Sequence, residues 1–145
     1  MAVWVGVDPG EKRIGLARGD ALGILATPRG VVPKKEDLLR WIQEMDEEYE
    51  VSGIMVGWPR NMDGSFGPMA LRSLKLVRWL RDQLSAPVFL WDERLTTSQA
   101  QGYGGHAAID EKAAAILLQS YLDAGTPPAE DPPGLLEAEN EQDSA

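Results

Sequence analysis

A mixed α/β sheet covered by helices on both faces is the architecture this chain predicts, and three observations predict it. Period-two apolar residues crowd into the first 32 positions. Short apolar runs then alternate with segments of helical period. The last of those segments carries an alanine stripe, Ala113-Ala114-Ala115, small enough to lie close on a sheet. At 145 residues the chain is long enough for one domain with a proper core. It has no cysteine, which excludes disulfides and thiolate metal sites. No apolar run reaches the length of a membrane span and no signal-peptide pattern opens the sequence, so a cytoplasmic protein without membrane contact is expected.

The first predicted strand covers Ala2 to Asp8. Val3, Val5 and Val7 fall on one face, and Trp4, Gly6 and Asp8 on the other, the pattern of a strand buried inside a sheet. Pro9-Gly10 forces a turn, and Arg13 to Arg18 folds back as a second strand. Gly23 to Val32 supplies a third, with Pro28 marking an edge position. A helix is expected from Glu36 to Glu50, with Leu38, Leu39, Trp41, Ile42 and Met45 on its apolar face. Ser52 to Gly57 is a short apolar strand, followed by a loop rich in turn residues from Trp58 to Gly67.

Pro68 suits the first turn of a second helix that runs to Leu84. Arg72, Lys75, Arg78 and Arg81 on this helix read as a solvated face. Pro87 to Asp92 is the fifth strand, Ser98 to Ile109 a glycine-rich connection, and Asp110 to Asp123 the last helix, stopped by Gly125. The domain is therefore placed at 1–125. Residues 126–145, with four prolines, six acids and no aromatic residue, are expected to be a disordered tail.

The formal charge of -9 argues at first against nucleic acid. Six of the 23 acids lie in the tail, however, while all 14 Lys and Arg precede it. Net charge thus neither vetoes nor supports a nucleic-acid partner.

Each acid has an ordinary reading when taken alone. Asp8 could bond its own turn, Asp92 or Glu93 could pair with Arg94, and Asp110 could cap its helix. Asp92 and Glu93 point to opposite faces of a persisting strand, so at most one of them faces Asp8. Asp110 shares a helical stripe with Ala114, Leu117 and Tyr121, which makes it the head of the inward face. Gly6, on the face of Asp8, leaves room beneath such a helix. Convergence of Asp8, Glu93 and Asp110 is then physically reasonable, provided cations offset their repulsion. An all-oxygen set suits Mg²⁺ or Mn²⁺, and a pair of such ions about 3.5–4 Å apart can activate water against a phosphodiester.

Four stretches resemble, in order, the motifs of the YqgF/RuvX family. They are Asp8-Pro9-Gly10-Glu11-Lys12-Arg13-Ile14-Gly15, Gly57-Trp58-Pro59-Arg60-Asn61-Met62-Asp63-Gly64-Ser65, Asp92-Glu93-Arg94-Leu95-Thr96-Thr97, and the helix from Asp110 to Leu122. Members are described as Holliday junction resolvases and as nucleases that mature the 5′ end of 16S ribosomal RNA precursor. The resemblance covers residues 3 to 122. It implies an RNase H-like fold, a five-stranded mixed sheet whose first three strands are antiparallel, flanked by helices. It also implies a metal site and catalytic centre at Asp8, Glu93 and Asp110, with Asp92 of second rank. Lys12, Arg13, Arg60, Asn61 and Arg94 stand in the matching motifs as candidate substrate-binding residues, for which the Arg fork suits phosphate.

The implied activity is a nuclease using Mg²⁺ or Mn²⁺ on pre-rRNA, on branched DNA, or on both, with a homodimer favoured for junctions. One departure stands out. The family commonly carries a longer basic segment before its last acidic helix, whereas Ser98 to Ile109 is short and has no Lys or Arg, His106 being its one candidate cation. That motivates the alternative of a nucleic-acid or ribosome-assembly binding module with little catalysis. An actin-like or sugar-kinase-like ATPase needs two such lobes and this chain has room for one. Trp58, bulky for its loop, reads as covering the core edge rather than stacking on a base.

Overall fold

The computed structural model describes residues 2–58, 67–92 and 109–128. The order is β1 (Val3–Pro9), β2 (Ile14–Gly19), β3 (Ala26–Val32), α1 (Lys35–Glu48), β4 (Val51–Trp58), α2 (Pro68–Gln83), β5 (Val88–Asp92) and α3 (Ile109–Asp123). The strands form one five-stranded sheet in the order β3-β2-β1-β4-β5. The pairs β1–β2 and β2–β3 are antiparallel, while β1–β4 and β4–β5 are parallel. The expected mixed sheet is present, with its first three strands antiparallel.

Period-two alternation sorts the side chains into two cores. Val3, Val5 and Val7 of β1 join Ile54, Val56 and Trp58 of β4 and Val88 and Leu90 of β5 against α1 and α2. On the other face, Met55 and Phe89 pack with Ala114, Ala115, Leu118, Tyr121 and Leu122 of α3, and Trp4 and Trp91 close over them. The ring of Tyr121 stands 5.2 Å from that of Trp4, 5.4 Å from Phe89 and 5.0 Å from Trp91. Gly53 pairs with Trp4 across the β1–β4 ladder, and a Cβ there would displace the Trp4 indole from its packing on Tyr121 and Phe89.

Most boundaries shift by a single residue from the sequence expectation, and three differences have a visible local cause. The third strand begins at Ala26 rather than Gly23, because Asp20 organises residues 20–25 as a closed turn. Its carboxylate accepts the amides of Ile24 at 2.8 Å and Leu25 at 3.3 Å, and Gly23 takes φ +70°. The first helix stops at Glu48, since Glu50 adopts φ 74° and Val51 N–H donates to the Asp46 carboxylate at 2.8 Å. Trp58 is the last residue of β4 and is buried in the core; it lies in the strand and not in the loop.

Thr126 and Pro127, assigned by sequence to the tail, are tied back to α3. Thr126 N–H donates to Tyr121 O at 3.2 Å, and Tyr121 O–H donates to Pro127 O at 2.8 Å. Residues 129–145 lie outside the described residues. Among the described residues no helix is long and apolar enough to cross a membrane.

Candidate nuclease site at the carboxyl edge of the sheet

Strands β1, β4 and β5 run parallel, so their carboxyl ends share one edge of the sheet, the edge at which open α/β folds bind ligands. Asp8 stands at this edge, next to last in β1 and half-buried, paired in register with Gly15. Alternation places it with Trp4 and Gly6 on the α3 face.

Helix α3 runs antiparallel to β1. Tyr121 packs on Trp4, whereas Leu118 and Ala114, about one and two turns nearer the helix start, lie on Gly6. A Cβ at residue 6 would come within 2.8 Å of Leu118 Cβ and 3.0 Å of Ala114 O, so glycine is what lets helix and strand touch. Each four-residue step toward the start of the helix advances about 6 Å, close to the rise of two strand residues. The step from Gly6 to Asp8 therefore matches the step from Ala114 to Asp110, the second residue of α3. An acid in a first helical turn is also favoured by the positive end of the helix dipole.

Asp92 ends β5 opposite Trp58. Val88 and Leu90 belong to the α1/α2 core, and alternation puts Asp92 on that face, away from Asp8. Of the adjacent acids expected to split between faces, Asp92 is thus the one directed away. Glu93, Arg94, Arg60, Asn61 and His106 lie outside the described residues, as does the connection from Ser98 to Ala108, and of Asp110 only the backbone is described. Among the described residues no group of three Asp, Glu, His or Cys gathers to hold a metal ion. The carboxylate of Asp8 is a hard oxygen donor, the ligand type that suits a divalent cation such as Mg²⁺.

Lys12 and Arg13 are exposed in the β1–β2 turn, which is closed by Gly10 N–H donating to Arg13 O at 2.8 Å. They line a cavity of about 320 Å³ together with Lys35, Arg72, Lys75 and Trp79. Arg72 and Lys75 are exposed, as a solvated face requires, and the structure adds that they stand beside Lys12, Arg13 and Lys35. Arg81, from the same row of cations, ties α2 to β5 through Nε donating to Val88 O at 2.8 Å.

A family profile described as RuvX, Holliday junction resolvase, matches residues 2–124. The chain belongs to this family. A relative from Halothermothrix orenii, named as a pre-16S rRNA nuclease, is 40% identical over 129 residues, covering 81% of this chain and 92% of that protein. One from Syntrophomonas wolfei, named likewise, is 38% identical over 133 residues, covering 84% and 94%. Among solved structures, Thermus thermophilus RuvC aligns with a TM-score of 0.58 at 14% identity, over 86% of this chain and 96% of that one. At that identity the likeness concerns the fold alone, and it identifies the sheet of this RuvX family member as RNase H-like.

Proposed function

We propose that this RuvX family member is a divalent-metal-dependent nuclease that hydrolyses phosphodiester bonds in the 5′ maturation of pre-16S rRNA, in branched DNA such as Holliday junctions, or in both. The observation that supports it most is the contact of Ala114 and Leu118 of α3 with Gly6, the spacing that a site shared by Asp110 and Asp8 would require. In this reading Asp8 and Asp110 hold Mg²⁺ or Mn²⁺. Glu93, one residue beyond the outward-turned Asp92, completes the set and orients the water. The ion supplies charge neutralisation at the scissile phosphate and an acidified water.

The remaining work falls to side chains. Lys12 and Arg13 at the first turn, with Arg60, Asn61 and Arg94 of the matching motifs, position phosphates and offset the charge that develops on them. Precursor rRNA as the substrate would put this activity in the cytoplasm. A four-way junction, being two-fold symmetric, would call for a homodimer.

A parallel cleavage assay tests the reading, using precursor 16S rRNA, single strands and four-way DNA junctions in Mg²⁺ and in Mn²⁺. Metal-dependent scission of at least one substrate is expected, and its absence from all of them would overturn the proposal. The preferred substrate assigns the biological role.

A further inference from the structure

The cavity of about 320 Å³ lies behind the β1–β2 turn, on the face of the sheet opposite Asp8. Its apolar floor is Pro9, Ile14, Leu76 and Trp79, and Pro33 closes one side. Five cations line it, Lys12, Arg13, Lys35, Arg72 and Lys75, against the single carboxylate of Glu11. That is a strong local excess in a chain of formal charge -9. Such a concentration focuses an attractive potential for anions despite the global charge.

The cations come from three separate elements, so no single amphipathic pattern explains their meeting. Lys35 begins α1, where the helix dipole disfavours a positive charge. Its ammonium sits 4.8 Å from the centroid of the Trp79 ring, which holds it over the cavity. Among the described residues no carboxylate lies in ion-pair range of Lys12, Lys35, Arg72 or Lys75.

The position of the cavity indicates what it binds. Pro9 belongs to its wall and directly follows Asp8, so the cavity and the carboxylate edge stand back to back across the end of β1. A nucleic-acid strand laid over this edge presents phosphates on both sides of it, since each strand carries one charge per about 3.4 Å of axis.

We propose that the cavity is a second phosphate-binding subsite. It would hold backbone phosphates that flank the scissile one, with Arg72, Lys75 and Lys35 extending the grip of Lys12 and Arg13 down the α1/α2 face. The proposal rests on the nuclease reading for its substrate, though not for its test.

The double variant Arg72→Gln/Lys75→Gln removes two exposed cations, and circular dichroism with a melting curve checks that it folds. Binding of labelled single-stranded RNA and of a four-way DNA junction is then measured in EDTA across a salt series. At least about tenfold weaker binding is expected. The slope of log K against log salt should also flatten by about 0.7 per lost contact on single strands, or about 0.9 on duplex arms. A change on RNA alone, or on the junction alone, identifies which backbone the subsite holds. Affinity and slope unchanged on both would overturn the proposal, as would an equal loss in the control Arg29→Gln/Arg40→Gln, which removes cations outside the cavity. Because binding is read without metal or turnover, a chain that cuts nothing yet shows the flattened slope loses the nuclease reading and keeps the subsite. A chain that cuts in Mn²⁺ with an unaltered slope does the reverse.

Discussion

Gly6 of β1 and Ala114 of α3 meet backbone to backbone, with space for a hydrogen at residue 6 and none for a methyl group. The facing atoms are Ala114 O and Leu118 Cβ, neither of which is the end of a flexible side chain, so a larger residue must displace the helix. Gly6→Ala is expected to destabilise the fold by about 1–3 kcal/mol, the usual cost of overpacking a filled core. Displacing α3 also displaces Asp110 relative to Asp8. Cleavage should therefore fall further than stability does, and urea unfolding beside a rate measurement at saturating Mn²⁺ separates the two. A variant as active and as stable as the parent would show that this contact does not set the site.

Asp8→Asn keeps shape and hydrogen-bonding capacity while removing a charge at a half-buried edge position. The fold should persist and metal-dependent cleavage should drop by at least about 100-fold, beyond the 10–100-fold typical of residues that merely support a metal ligand. A second readout needs no turnover. Mn²⁺ bound to the native state raises the parent's melting temperature by mass action, and the variant should lose most of that rise. Equal cleavage and equal Mn²⁺ stabilisation would remove Asp8 from the proposed centre.

Strand alternation at Val3, Val5 and Val7 and the helical stripe of Ala114, Leu117 and Tyr121 were legible because each is a local period imposed by burial. The boundaries at Ala26 and Glu48 were not, because they are set by single side chains, Asp20 and Asp46, that take backbone amides several residues away. Asp8 could be recognised as a charge at the end of a buried strand. The convergence of Lys35, Arg72 and Lys75 with Lys12 and Arg13 could not, since it arises where a turn and two helices meet and no sequence spacing encodes it. Trp58 was misplaced for a related reason: β4 runs one residue past Gly57, and burial of the indole on the α1/α2 face carries it there.

Gln119 ties α3 to the β2–β3 turn. Its Oε1 accepts the Ala26 amide at 2.9 Å, and Nε2 donates to Ile24 O at 2.7 Å and to the Asp123 carboxylate at 2.9 Å. Gln119→Ala leaves the amide of buried Ala26 without its partner, at a cost of about 1–3 kcal/mol. Gln119→Glu restores the acceptor but sets a charge against Asp123 and Ile24 O, so it should recover only part of that loss. Denaturant midpoints of the three proteins check the order parent, Glu, Ala.

The same turn carries the clearest pH dependence among the described residues. The amide of Ile24, followed by those of Leu25, Gly23 and Leu22, holds the Asp20 carboxyl below its ordinary value of 3.8 despite an opposing effect of desolvation. A depressed folded value means the unfolded chain takes up the proton first. The contribution of Asp20 is therefore fully present above pH 3.8 and is lost as pH falls through the lower folded value. Protection of the Ile24 and Leu25 amides from solvent exchange should decline in that acid window while the amides of β1 stay protected. Asp20→Asn should show weak protection of these two amides at neutral pH and a shallower fall in stability on acidification. If the parent and Asp20→Asn lost stability in parallel between pH 5 and pH 2, the carboxylate would not be what closes this turn.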